Sequence, residues 1–252
     1  MNVVFGGRPC PRLREKQIRF APLAGQSLLF AADLHVREKD DPAAVSSLAR
    51  ALRGEGDEAV LLGGDLGEGP EGLECFLRAL RREAHCPRVL CVRGNNDAFP
   101  EFCGMAEEAG IRVLRNESCF LSSGRLCVSG IDDAVCAERD WSCLPGAREG
   151  LFRIALEHFP ALPPEGLRPD ILLCGHTHGG QIRAFGIDPY AFSLELLYLK
   201  LMRRGPHVMP CLVRGEGVRG GVRVLVTNGI GTSRLPVRVN CPPEIVRLRF
   251  TE

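Results

Sequence analysis

The sequence contains no Cys-x-x-Cys pair, although twelve of its 252 residues are cysteine. Structural zinc sites bring their cysteines in closely spaced pairs, and here the nearest two are Cys86 and Cys91. The cysteines are therefore expected to be reduced and mostly buried, packing as small hydrophobes. A polybasic block is also missing. Lys and Arg number 32 against 31 Asp and Glu, a net charge of +1, so a partner held through a strong positive field, nucleic acid above all, is not expected. No apolar run approaches the roughly 20 residues of a membrane-spanning helix. The opening MNVVFGGRPCPR has too short an apolar stretch for a secretory signal, and a cytoplasmic location is the expectation. Linkers, repeats and low-complexity stretches are lacking too. With 45% hydrophobic and 25% charged residues, disorder and collagen-like structure are excluded. A chain this long can bury a full core without disulfides, and one domain over 1–252 is the simplest organisation.

Glycine and proline are plentiful, 29 and 18 residues, which predicts many short elements joined by tight loops. Apolar runs at 27–32, 59–62 and 89–92 read as strands. Between and after them, Val45/Leu48/Ala49/Leu52, Leu73/Phe76/Leu77/Leu80 and Phe102/Met105/Ala106/Ala109 recur at helical spacing. Asp41-Pro42 suits the start of the first helix, and Gly110 the end of the third. This βαβαβα order predicts a largely parallel sheet. From Arg112 onward the rhythm changes to short strands near 125–129, 152–156, 171–174, 222–227 and 245–250. The fold class is thus α/β, and two packed sheets with helices outside accommodate both halves.

Polar clusters follow the strand ends: Asp33 with His35, Asp65, then Asn95-Asn96-Asp97, His158, and His176 with His178. Ligands in open α/β sheets bind at this strand edge. In an extended segment alternate residues point the same way, so Asp33 and His35 are expected to reach one ion, and His176 and His178 likewise. Any one of these clusters is by itself an ordinary turn or a packed histidine. Together they supply carboxylates, imidazoles and an amide carbonyl, a set suited to Mn, Fe, Zn or Ni rather than to calcium. The donors exceed what one tetrahedral ion needs, and two divalent cations sharing a carboxylate are the natural solution.

The series Asp33-x-His35, Gly64-Asp65, Gly94-Asn95-x-Asp97, His158 and Gly175-His176-Thr177-His178 resembles the calcineurin-like metallophosphoesterase superfamily. GHTHGGQ (Gly175–Gln181), NGIGTS (Asn228–Ser233) and CPPEIVRL (Cys241–Leu248) resemble a bacterial branch of predicted phosphohydrolases. The resemblance implies a four-layer sandwich of two mixed sheets flanked by helices. It implies that Asp33, His35 and His178 hold one ion, that Asn95, His158 and His176 hold the other, and that Asp65 bridges them, with manganese first among the candidate metals. The implied reaction is attack of a metal-bridging hydroxide on a phosphodiester or pyrophosphate. Some relatives cleave UDP-diacylglucosamine in lipid A synthesis, and nucleotide or cyclic-nucleotide diesters are comparable substrates, so a nucleotide-linked or acylated phosphate ester is expected. A catalytically silent metal-binding scaffold is the rival, but such a protein would have lost several ligands. Asn96 stands where many relatives carry a histidine near the leaving group, and an amide is not a general acid. Asp97 is expected to orient its neighbours.

Other residues read as duller. His85 and His207 suit the surface, Asp132-Asp133 a turn or an indirect role near the site, Arg234 a surface ion pair, and Trp141 the core. Tyr190–Met202 (YAFSLELLYLKLM) is apolar around most of a helix. A cap helix over 188–205 is expected there, either buried on two sides or overhanging the site toward an acyl chain or a membrane surface.

Overall fold

A computed structural model describes residues 3–5, 10–54, 56–83, 88–183, 210–233 and 235–252. His85, His207, Arg234 and the cap helix expected at 188–205 lie outside the described residues.

In chain order the elements are β1 (Val3–Phe5), β2 (Arg12–Arg19), β3 (Ser27–Ala31), α1 (Pro42–Ala51), β4 (Ala59–Leu62), α2 (Gly69–Arg82), β5 (Arg88–Cys91), α3 (Phe102–Glu108), β6 (Ile111–Val113), β7 (Glu117–Leu121), β8 (Leu126–Ile131), β9 (Phe152–Glu157), β10 (Ile171–Cys174), β11 (Gly215–Arg219), β12 (Val222–Val226), β13 (Val237–Val239) and β14 (Glu244–Thr251). The first sheet runs β2-β14-β3-β4-β5-β6, and β3 to β6 are parallel as the alternation predicts. Strand β14 returns from the far end of the chain, antiparallel to β3 and parallel to β2. The second sheet runs β11-β12-β10-β9-β8-β7, with β8, β9, β10 and β12 parallel.

Side-chain alternation sorts these strands into layers. On β3, Leu28 and Phe30 enter the core between the sheets, whereas Leu29 and Ala31 meet the helices. The inter-sheet layer takes Leu61 and Leu90 from the first sheet and Val128, Ile154, Leu156 and Leu173 from the second. Phe152 meets Phe250 edge-on across it, ring centres 5.2 Å apart. Each such buried side chain contributes about 1.5–3 kcal/mol. Helices α1 and α2 cover the outer face of the first sheet with Val45, Leu48, Leu73, Phe76 and Leu77. Asp41 caps α1 as expected, accepting from Ala43 N–H at 3.1 Å. Gly110, at φ +82°, ends α3. Among the described residues, the outer face of the second sheet is covered by turns that include Trp141, Cys143, Leu167 and Leu212.

The described cysteines are all free; Cys91, Cys119, Cys127, Cys174 and Cys241 are buried and Cys10 is exposed. Among the described residues no helix is long and apolar enough to cross a membrane.

Candidate metal centre

The loops after β3, β4, β5, β9, β10 and β12 meet at one edge of the two sheets. Backbone bonds fix them together. Asp33 N–H donates to Gly64 O at 3.0 Å, and His35 N–H to Asp65 O at 2.9 Å. Gly175 N–H donates to His158 O at 3.0 Å, and Gly231 N–H crosses between the sheets to Asp33 O at 2.7 Å. Every residue predicted for the site is brought to this edge: Asp33, His35, Asp65, Asn95, Asn96, Asp97, His158, His176 and His178.

The backbone corrects one expectation. Asp33, His35, Asp65, His176 and His178 do not stand on extended segments; all have positive φ, between 43° and 67°. Left-handed backbone costs a non-glycine residue roughly 1–2 kcal/mol. Five such residues in one cluster mark strain held at a functional site by the surrounding packing. The approach is also too close for side chains. A Cβ on Gly94 would lie 2.2 Å from Asp65 Oδ1, and one on Gly175 2.8 Å from Asp33 Oδ2.

Donor atoms converge in two overlapping groups, Asp33/His35/His178 and Asp33/Asp65/His158, each with its ligand atoms within 4.8 Å of one another. The Nε2 atoms of His35 and His178 are 3.0 Å apart, and Asp65 Oδ2 lies 3.3 Å from the former and 3.5 Å from His158 Nε2. Asn95 Oδ1 stands 2.9 Å from His176 Nδ1 and 3.2 Å from His158 Nε2. Asp33 Oδ2 is buried without a hydrogen-bond partner. A carboxylate oxygen so placed, among imidazoles and a second carboxylate, is costly unless a cation meets it. The residues present therefore fit a divalent metal.

The electrostatics follow from burial and from the carboxylates. Burial raises Asp33, with the Asp65 charge adding to the effect. For Asp65 burial acts upward but is outweighed, chiefly by His158, and its pKa lies well below the usual carboxylate range. Burial presses on His158 too, yet Asp65 prevails and lifts it to about 10. His176 is pushed down to about 3 by burial and the His158 charge. His178 falls by burial and by His35 and Arg238.

Supporting contacts explain the remaining motif residues. Asp97 is fully buried and accepts three backbone N–H groups, from Asp65 at 2.6 Å, Gly94 at 2.9 Å and Leu66 at 3.1 Å. Burial, then the Asp65 charge, raises it to about 7. Asn96 donates twice to Asp65, backbone N–H to Oδ1 at 2.9 Å and Nδ2 to Oδ2 at 2.7 Å. Gln181 closes GHTHGGQ onto the NGIGTS loop: its Oε1 accepts from Ser233 N–H at 2.9 Å and its Nε2 donates to Leu235 O at 2.9 Å. Asp132 receives Arg93, Nε to Oδ1 at 3.0 Å, and Asp133 caps a turn by accepting from Val135 N–H at 2.8 Å. Trp141 is buried as expected.

Two supporting residues carry no spacing signal in the sequence. Glu68 Oε1 lies 2.7 Å from His35 Nδ1. Arg238, 1% exposed, donates to Gly231 O at 3.0 Å and Asn228 O at 2.9 Å, with Nη2 3.4 Å from His178 Nδ1. Only tertiary contact could reveal them, because Arg238 lies 60 residues from its histidine.

A family model described as calcineurin-like phosphoesterase matches residues 27–180, more than half of the chain and a span that includes all seven candidate ligands. The chain is 27% identical over 231 residues to the uncharacterized protein YpbG of Bacillus subtilis, covering 86% of this chain and 78% of that one. It is 29% identical over 236 residues to the phosphodiesterase YaeI of Escherichia coli, with 88% and 81% covered. An uncharacterized metallophosphoesterase of Aquifex aeolicus matches at 24% over 231 residues, with 87% and 82% covered.

Proposed function

Since the chain belongs to the calcineurin-like phosphoesterase family, and is accordingly a metal-dependent hydrolase of phosphate esters, we propose that it cleaves a phosphodiester or pyrophosphate bond at a dinuclear centre. The observation that carries this is the convergence of Asp33 with His35 and His178 and of Asp33 with Asp65 and His158, with Asn95 and His176 adjoining His158, while Asp33 Oδ2 is buried without a hydrogen-bond partner. Asp33, His35 and His178 would hold one cation and Asn95, His158 and His176 the other, with Asp65 shared. Asp65 Oδ2 lies 3.3 Å from His35 Nε2 and 3.5 Å from His158 Nε2. Carboxylate, imidazole and amide donors suit Mn, Fe, Zn or Ni, with manganese the first choice. When bound, such ions supply Lewis-acid polarisation of the phosphoryl group and water activated near neutral pH.

The protein's own contribution is to hold the donors still. Glu68 beside His35 Nδ1 keeps that nitrogen protonated and leaves Nε2 facing the site. Gly63 O, 2.8 Å from His158 Nδ1, does the same for His158. Lowered pKa values keep His176 and His178 neutral, with lone pairs available. Asn96 holds both oxygens of Asp65, and Asp97 fixes the turn that presents it. Asn96 has no proton to give a leaving oxygen, which favours diesters and pyrophosphates over alkyl monoesters. The name of the E. coli relative, a phosphodiesterase, points the same way.

Elemental analysis and a substrate panel test this. The manganese-loaded protein should turn over an aryl phosphodiester or a pyrophosphate faster than the matching monoester. Asp65→Asn should lose both ions and activity together, whereas His178→Ala and His158→Ala should each chiefly lose one. Two ions retained in the Asp65 variant would overturn the ligand assignment, and metal binding without turnover of any phosphate ester would mark a silent scaffold.

A further inference from the structure

The segment after β8 brings an arginine to the rim of the site beside His176. Arg139 Nε lies 2.6 Å from Oε1 of Glu157, whose side chain is fully buried. The pair is poorly aligned: neither Glu157 oxygen nor Arg139 Nε forms a hydrogen bond. The Arg139 guanidinium carbon sits 5.5 Å from the centre of the Phe159 ring. Phe159 in turn meets the His176 imidazole edge-on, ring centres 4.8 Å apart. Arg139 remains 22% exposed, and among the described residues it makes no aligned hydrogen bond.

A buried ion pair with such geometry is a poor source of stability, because desolvating both charges costs more than misaligned attraction returns. It does hold a guanidinium in place. The carboxylate behind and the aromatic face beside it leave the fork free to grip a planar or tetrahedral oxyanion. One ring, Phe159, separates this fork from His176, so it reaches a group next to the one lying over the imidazole rather than that group itself.

We propose that Arg139 binds an anionic oxygen flanking the scissile phosphoryl group, which makes the second phosphate of a pyrophosphate the substrate feature it recognises. This rests on the reading above, that the Asp33–His178 cluster holds the scissile phosphate. Glu157 and Phe159 are positioning residues for the arginine.

The test compares wild type, Arg139→Gln and Arg139→Lys, all manganese-loaded, on ADP-ribose and on bis(4-nitrophenyl) phosphate, which has no second phosphate. Hydrogen bonds to charged groups change rates by about 10–100-fold. Arg139→Gln should lose kcat/KM on the pyrophosphate by that factor, and about tenfold more than on the aryl diester, with Arg139→Lys between. Calorimetric binding of α,β-methylene ADP and of AMP gives a readout independent of turnover: the preference for the diphosphate should collapse in Arg139→Gln. Melting curves and metal content establish that each variant is folded and loaded, and Arg139→Lys carries the comparison should Arg139→Gln not fold. Equal losses on both substrates, or an unchanged diphosphate preference, would overturn the role of Arg139 while leaving hydrolysis intact. Turnover of neither substrate with the binding preference still dependent on Arg139 would instead sink the hydrolytic reading and keep this one.

Discussion

Glu68 Oε1 stands 2.7 Å from His35 Nδ1. The contact works in both directions: the hydrogen bond from His35 draws the Glu68 carboxyl below its ordinary range, whereas burial presses His35 down and Glu68 restores it upward. The carboxylate thereby fixes which imidazole nitrogen carries the proton. Contacts of this kind are typically worth about 10–100-fold in metal affinity. Glu68→Ala should weaken the ion held by His35 by that order and spare the other, whereas Glu68→Gln, which still offers an acceptor, should do less. Metal titration of the two variants checks this, and equal affinity in wild type and Glu68→Ala would refute it.

Protons should leave as metal binds. In the folded protein without metal, His158 is lifted to about 10 by Asp65 despite its burial. A raised pKa means that the His158–Asp65 attraction stabilises the fold fully below the ordinary histidine value and fades as pH climbs toward 10. A cation at Nε2 must displace that proton, so affinity at this position should rise about tenfold per pH unit between roughly pH 7 and 9. His176 and His178, pushed down, release none. Calorimetry in buffers of different ionisation heat should count about one proton from His158, with a further contribution from His35, whose pKa is also raised, and a flat affinity over that range would contradict the assignment.

Asn96 gives the third prediction. Its backbone N–H and one Nδ2 hydrogen are committed to Asp65, and its amide cannot protonate a leaving oxygen. Rates should therefore depend steeply on leaving-group pKa across a graded aryl series. Asn96→His should speed poor leaving groups more than good ones, since general acid help is worth about 10²–10⁴-fold. A gain and a penalty compete, because the variant also removes the side-chain bond to Asp65 Oδ2, and metal content must be measured alongside. Wild-type rates indifferent to the leaving group, with chemistry limiting, would defeat this.

Helices α1 to α3 were legible from apolar residues recurring at helical spacing on one face, and the most legible strands are those buried on both faces. Strands β3 and β4 are buried at every position and read as continuous apolar runs. Strand β2 was not legible. Six of its eight positions pair Arg, Lys, Glu or Gln with solvent or half-burial, as an edge strand protected against further pairing does. Its place depends on β14, more than two hundred residues away. The glycine-rich hairpin strand β11 and the three-residue β6 gave no period to read for similar reasons.

The site divides along the same line. The sequence by itself determined which donors are present, because metal chemistry restricts ligands to a few residue types and those stand directly after apolar strands. Their geometry was decided by the tertiary structure. Asp33 and His35 meet through left-handed backbone held by the Asp65 loop and by Gly231 N–H, not through strand alternation. Glu68, Arg238 and the Arg139–Glu157 pair belong to the site only because two sheets bring distant loops to one edge. A buried charge takes its meaning from what is packed against it, and sequence spacing does not encode that neighbour.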